Sequence, residues 1–341
     1  MPLHPTAPLG VWRPGLARRS WLAVALAAAA LLALPLVASS YVLSVATLIL
    51  YLAYVGQAWN VMMGFAGQLS LGHSLYVGVG AYAAAGLFFH FGVGPWAGVW
   101  LAIASCAALA ALIGSLAFRL GISGVHLSLL TVAFAEFTRI AFDHIDWLGG
   151  PGGLFLSVAQ RNQVDLAGFR GPPAMYYFAM LALAASALAL CAWLVGRRPG
   201  YYWRAIREDE AAAQALGIDT FRWKMVAVLV SASMTAVAGV FFAFYYNSLF
   251  PEQIFGFSRS IEILLGPVIG GLGTLLGPII GAAVLVLLGN GTTEILAGLG
   301  WDLPGGKQVV YGVLLLIVVV FLPSGIWPPL ARVLRVKAPR A

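Results

Sequence analysis

Residues 64–80 read GFAGQLSLGHSLYVGVG, which sets Gln68, Ser70 and His73 among Gly64, Gly67 and Gly72. The sequence on both sides is apolar enough to lie in lipid. An amide, a hydroxyl and an imidazole at these spacings suit hydrogen bonding rather than bond making, since no carboxylate or second imidazole stands near them. Gly67 and Gly72 let a helix break or pack closely. In hydrocarbon the backbone groups freed by a break must be met by protein, and Gln68, Ser70 and His73 are expected to meet them. For His73 a structural hydrogen bond is the first reading and a substrate contact the alternative.

Ionisable groups elsewhere in apolar sequence are few. Glu136, Arg139 and Asp143 are spaced by three and four, which puts them on one helical face. They read as a self-neutralising ladder near the outer interface, with substrate contact as the alternative. Glu262 follows Arg259 by three, in irregular sequence, and intramembrane ionisable residues are functional candidates by default. His4, His73, His90, His126 and His144 are scattered without metal-ligand spacing. No nucleophile constellation is present. A membrane enzyme is therefore not expected: no catalytic residue, no metal and no cofactor. Cys106 and Cys191 lie inside apolar runs and read as buried, inert thiols.

The elements that must position these groups follow from composition. Of 341 residues, 61% are hydrophobic and 9% charged, against about 25% charged in a soluble protein. Such a chain cannot cover a water-facing surface and is expected to be an all-α polytopic membrane protein. Full spans are expected near 21–39, 41–62, 73–91, 95–118, 124–142, 174–196, 222–247 and 308–322, with two shorter Gly- and Pro-rich pieces at 259–272 and 274–290. The run RPGLARRSWLAVALAAAALLALPLVASS resembles a secretory signal, but a first span is the preferred reading. The net charge of +7 reflects basic residues beside apolar runs, as the positive-inside rule requires, and not nucleic-acid binding. Arg13, Arg18 and Arg19 place the N-terminus in the cytoplasm. Arg332, Arg335, Lys337 and Arg340 place the C-terminus there too. The division is a tail at 1–20, a membrane domain at 21–326 with an external loop at 143–173 and a cytoplasmic loop at 197–221, and a basic tail at 327–341.

Both ends inside requires an even number of crossings. A broken or re-entrant pair at 259–290 gives eight; three crossings after Arg259 give ten. The pair contains Gly266, Gly270, Gly273, Gly277 and Gly281, three of whose intervals have the G-x-x-x-G spacing that permits close helix approach. Pro267 and Pro278 are expected to break the hydrogen-bond ladder. Gly270, Gly271, Gly273, Gly277 and Glu262 are candidate pathway or packing residues, as are Gly64, Gly67, Gln68, Ser70, Gly72 and His73. Interrupted segments in both halves of a chain point to internal repeats around a midplane site.

The cytoplasmic loop carries WRAIREDEAAAQALG at 203–217, a strong helix former that Gly217 is placed to end. One short amphipathic helix there could lie on the membrane or dock in a partner's groove. Its EAAAQALG run resembles the EAA loop of ABC-importer membrane subunits, through Ala211, Ala212, Ala213 and Gly217. It occurs in order with NVMMGFAGQLSLGHSLYVGVGAYAAA (60–85), GVHLSLLTVAFAEF (124–137), GGPGGL (149–154) and SIEILLGPVIGGLGTLLGPIIGA (260–282). Together these resemble the M-type membrane subunit of the branched-chain amino acid ABC importers over roughly residues 41–326.

The resemblance implies a second, homologous permease subunit, two cytoplasmic ATPase subunits and a periplasmic or lipoprotein solute-binding protein, in a bacterial cytoplasmic (inner) membrane. It implies that Arg204, Arg207, Glu208, Glu210, Ala211, Ala212, Ala213 and Gly217 form the ATPase-coupling loop. ATP would be bound by the partners: GGKQ at 305–308 lacks the first Gly and the final Ser or Thr of a P-loop, Trp301 and Gln308 standing there instead. Alternatives are a urea or short-amide importer permease, or a secondary transporter or channel without an ATPase.

Overall fold

The computed structural model describes residues 29–156, 165, 168–298 and 305–333. The N-terminal tail, the start of the first expected span, most of 157–167 in the external loop and the end of the basic tail lie outside the described residues. In chain order the helices are α1 (29–37), α2 (Ser40–Asn60), α3 (Ser74–Phe91), α4 (Pro95–Arg119), α5 (Gly124–Asp143), α6 (Pro173–Val195), α7 (Arg198–Glu208), α8 (Glu210–Ala215), α9 (Thr220–Tyr246), α10 (Pro251–Phe255), α11 (Phe257–Gly270), α12 (Gly277–Gly298), α13 (Gly306–Phe321) and α14 (Trp327–Val333). A π-helical turn, Val61–Phe65, continues α2. Strands β1 (Leu154–Phe155) and β2 (Ser248–Leu249) pair antiparallel, Leu154 opposite Leu249.

Among the described residues, six helices are long and apolar enough to cross a membrane: Ser40–Phe65, Ser74–Phe91, Pro95–Arg119, Gly124–Asp143, Pro173–Val195 and Thr220–Tyr246. Two shorter apolar stretches, Gly277–Thr292 and Gln308–Val318, follow. The chain is thus the all-α polytopic membrane protein that its composition requires. Lipid tails are as apolar as leucine, so such helices associate by close packing of small residues. That is how the core is built. A Cβ at Gly80 would lie 2.6 Å from the Ala236 carbonyl oxygen, and one at Gly98 3.0 Å from the Ala84 Cβ. Ala81, Ala84, Ala102, Ala110 and Ala236 are fully buried between α3, α4 and α9. The outer faces of α4, α5 and α6 keep Trp100, Leu112, Leu129, Phe137 and Trp193 exposed, as a lipid-facing surface should.

The 27 residues of α9 separate two ends of the bundle by about 40 Å at 1.5 Å per residue. One end carries α7 and α8. The other carries the β1–β2 pair, where Tyr82 Oη donates to the Leu249 carbonyl at 2.9 Å. The turn formers at 149–153 act there: Gly149, Gly150 and Gly153 have φ of 89°, 50° and 78°.

Three sequence expectations are corrected. Pro267 does not break a helix: α11 runs through it to Gly270 and ends at Gly271, whose φ is 128°. Pro278 sits in the first turn of α12, where no backbone donor is required. The hairpin they belong to packs along α2. Its apex lies at the α7 end, while Tyr41 Oη at the start of α2 donates to Glu294 Oε1 near the far end of α12 at 2.5 Å. The apolar part of α12, Gly277–Thr292, is shorter than the six full-length apolar helices. Finally, the single helix expected over 203–217 is two. Asp209 adopts extended backbone (φ −156°, ψ 109°), and its side chain accepts from the Ala212 N–H, capping α8.

Candidate functional site

The two interrupted segments meet. After the π-helical turn the chain leaves helical geometry at 66–73 and resumes it at Ser74. The break is supported as a set of satisfied groups. Gln68 Nε2 donates to the Ala66 carbonyl at 3.0 Å, Trp59 Nε1 to the Ser70 carbonyl at 2.8 Å, and the Leu71 N–H to Thr131 Oγ1 at 3.1 Å. Gly67 has φ of 71°. At Gly72 a Cβ would run into the Thr131 carbonyl of α5.

Ser70 and His73 do not meet freed backbone groups as expected; they pair with side chains. His73 is fully buried. Its Nε2 lies 2.9 Å from Ser231 Oγ, and Ser231 donates its hydroxyl to the Ala58 carbonyl at 2.6 Å. The Ser231 oxygen must therefore accept from His73, which fixes the proton on Nε2. The other nitrogen, Nδ1, then accepts from Ser70, 3.3 Å away. Through His73 the broken passage is tied to both α2 and α9.

The second break is the apex of the α11–α12 hairpin. Gly266 and Gly270 face Gly277 and Gly281. A Cβ at Gly270 would strike the Gly277 carbonyl, and one at Gly281 the Gly266 carbonyl. The G-x-x-x-G intervals thus pack on each other across the hairpin. Gly271 and Gly273 have positive φ, and a Cβ on Gly271 would sit 3.1 Å from the Ser324 carbonyl oxygen. Thr274 Oγ1 donates to the Gly271 carbonyl at 2.8 Å and accepts from the Gly277 N–H at 3.0 Å.

Side chains of α2 hold this apex. Asn60 Oδ1 accepts from the Gly273 N–H and Asn60 Nδ2 donates to the Thr274 carbonyl, both at 2.9 Å. Gln57 Nε2 donates to the Leu275 carbonyl. Gln57, Asn60 and Gly64 share a helical face by their spacing of three and four. Sequence reasoning passed over Gln57 and Asn60; two amides in an apolar span were the available signal.

Arg207 closes the arrangement. From α7 its Nη1 donates to the Gly64 carbonyl. A Cβ on Gly273 would lie 2.6 Å from that same Nη1, and one on Gly67 3.1 Å from Arg207 Cγ. One side chain of the loop thus touches both breaks.

The remaining loop residues are arranged around it. Arg204 donates to the Gly200 carbonyl at 3.0 Å and the Val195 carbonyl at 3.1 Å, bracing α7 against the end of α6. Glu210 pairs with Lys224 of α9 at 2.6 Å. Trp203 and Ala213 are buried, while Glu208, Ala211, Ala212 and Gly217 are exposed. Gly217, with φ of 83°, ends α8 beside Leu216, which is 82% exposed.

Glu262 lies apart from this junction, paired with Arg259 at 2.7 Å. Also separate is the α5 ladder, in which Arg139 reaches Glu136 at 2.6 Å and Asp143 at 2.8 Å. Both cysteines are buried and unbridged.

What the junction can do is mechanical. It links a surface helix pair to two breaks in buried helices, through hydrogen bonds to backbone rather than through packing alone.

Comparison with known proteins gives concordant matches. The family model described as "Branched-chain amino acid transport system / permease component" matches residues 41–319. The chain is 29% identical over 324 residues to the high-affinity branched-chain amino acid transport system permease protein LivM of Escherichia coli (strain K12), covering 89% of this chain and 74% of that protein. It is 28% identical over 328 residues to the LivM of Salmonella typhimurium, covering 90% and 75%. A shorter region of 139 residues is 33% identical to the permease protein LivH of E. coli, covering 41% of this chain and 42% of that protein. No solved structure matches.

Proposed function

The chain belongs to the permease-component family of branched-chain amino acid transport systems, and we infer that it is the translocating subunit of an ATP-driven importer for branched-chain or related amino acids. In this reading a solute-binding protein delivers the substrate at the β1–β2 end. Separate ATPase subunits dock at the α7–α8 end, which faces the bacterial cytoplasm. A second permease subunit completes the pathway, a pairing supported by similarity to both LivM and LivH of one organism.

The observation that carries the reading is the position of Arg207. A secondary transporter or channel has no use for a surface helix pair tied to its broken segments. An importer powered from outside the membrane requires such a tie, because ATPase motion must reach the pathway. The basic residues of α7 and the exposed Leu216 offer polar and apolar contacts to a docking partner.

The test is uptake of radiolabelled leucine by proteoliposomes holding this chain, its companion permease and the candidate ATPases, with the binding protein supplied outside. Uptake is expected only with ATP inside and with all components present. Uptake driven by an ion gradient with the ATPases left out would overturn the reading.

A further inference from the structure

Tyr51 Oη and Arg259 Nε are among the buried polar atoms that have no hydrogen-bond partner among the described residues. Tyr51 lies in the middle of α2 and is 4% exposed. Arg259 stands in the first turn of α11. The Phe242 ring joins them, its centroid 6.1 Å from that of Tyr51 and 5.3 Å from the Arg259 guanidinium carbon. Tyr246 packs on the same ring at 4.5 Å. Arg259 Nη1 reaches Glu262 Oε2 at 2.7 Å, the two side chains being 21% and 25% exposed. The next residue, Ser260, accepts from the Ser74 N–H at 3.0 Å, so the pair sits where the broken passage at 66–73 returns to helix.

A buried hydroxyl without a partner is destabilising, and phenylalanine would remove the cost. An ion pair inside a membrane protein also needs a reason to be there. One ligand class answers both. We propose that Tyr51, Arg259 and Glu262 form the polar end of an occluded site for a zwitterionic α-amino acid, whose apolar side chain lies against Phe242 and Tyr246. The Arg259 guanidinium and the Tyr51 hydroxyl donate to its carboxylate, and Glu262 accepts from its ammonium. The internal ion pair is exchanged for two protein–ligand pairs and the net charge in the site does not change. A carboxylic acid without the ammonium, or an amine without the carboxylate, leaves one partly buried charge unpaired, which is unfavourable. This inference rests on the amino acid transport reading above and names the site within it.

The test is equilibrium binding of radiolabelled leucine to the full-length chain in detergent, competed by 4-methylpentanoate, which lacks the ammonium, and by leucinamide, which lacks the carboxylate. Leucine is expected to bind and neither analogue to displace it at equal concentration. Tyr51→Phe removes a hydroxyl that bonds to nothing among the described residues, so the variant is expected to fold with an unchanged or higher unfolding temperature. Its leucine binding should nevertheless weaken about tenfold, the loss of one hydrogen bond. Glu262→Gln is expected to abolish binding. Unchanged leucine binding by Tyr51→Phe, or equal competition by 4-methylpentanoate, overturns the site. ATP-driven leucine uptake by the assembled wild type together with no leucine binding to the chain also overturns it, while leaving the importer reading intact. Absence of leucine uptake by the assembled wild type overturns the importer reading instead.

Discussion

The guanidinium of Arg207 donates to the carbonyl of Gly64, 143 positions earlier in the chain. Gly64 lies in the π-helical turn that leads into one break, and its neighbour across the junction, Gly273, lies in the other. A displacement of α7 therefore acts on both breaks through one side chain. Arg207→Ala is expected to reduce ATP-driven uptake at least about tenfold, since a charge-assisted hydrogen bond and its geometry are lost. Association with the ATPase should persist, because Arg204, Trp203 and the Glu210–Lys224 pair still hold α7 and α8. Arg207→Lys keeps the charge without the planar fork and should fall between. Uptake by Arg207→Ala at the wild-type rate would remove the mechanical role.

The closeness of the two segments makes a second prediction. A Cβ at Gly64 would collide with the Asn60 side chain and sit 2.7 Å from the Gly273 backbone nitrogen. Gly64→Ala should force the hairpin apex off α2 and destabilise the protein by about 1–3 kcal/mol, the usual cost of overpacking. Gly312→Ala on α13 meets nothing within 4 Å and should be neutral or slightly stabilising, as alanine is the better helix former. Unfolding temperatures of the two purified variants check this; a Gly64→Ala protein as stable as Gly312→Ala contradicts the packing.

Gln68→Leu deprives the Ala66 carbonyl of its donor within the broken passage. An unmet buried acceptor costs about 1–3 kcal/mol, so assembly or uptake should suffer. Leu101→Ala, at a 46% exposed position of α4, should be close to wild type. Equal uptake by the two variants would show that the break does not need its amide.

Asp209 separates α7 from α8 and caps the latter. Asp209→Ala should lower the stability of α8 by about 0.5–2 kcal/mol and weaken ATPase co-purification, with the membrane helices intact by circular dichroism. Undiminished co-purification would place docking elsewhere than α8.

Much of this protein is written in its residues one by one. Few charges and many apolar residues dictate a polytopic helical bundle, because nothing else could be covered by so little polar surface. The break at Gly67 and Gly72 was visible as glycines where helix should continue, whereas the second break, expected at Pro267 and Pro278, stands at Gly271 and Gly273. The order of motifs along the chain already resembles that of the permease family. Pro267 misled because helix interruption depends on the neighbours that accept or refuse a kink, and Gly271 offered a lower-strain place to stop. Asp209 was a legible cap, being an acidic residue directly before Glu-Ala-Ala-Ala, yet helix propensity summed over the window concealed it.

What only the tertiary structure decided is which groups meet. Every residue carries a carbonyl, so residue type cannot say that Arg207 will choose that of Gly64, or that Asn60 will grip Gly273 and Thr274. Those choices depend on how each helix is rotated and how far it slides along its neighbours. Rotation and slide are set by the small-residue contacts of the whole bundle at once, such as Gly80 against Ala236 and Gly270 against Gly277. Apart from Gln57 and Asn60, the residues of the junction are legible in the sequence as three separate features. Their convergence on one guanidinium is a property of the packed helices.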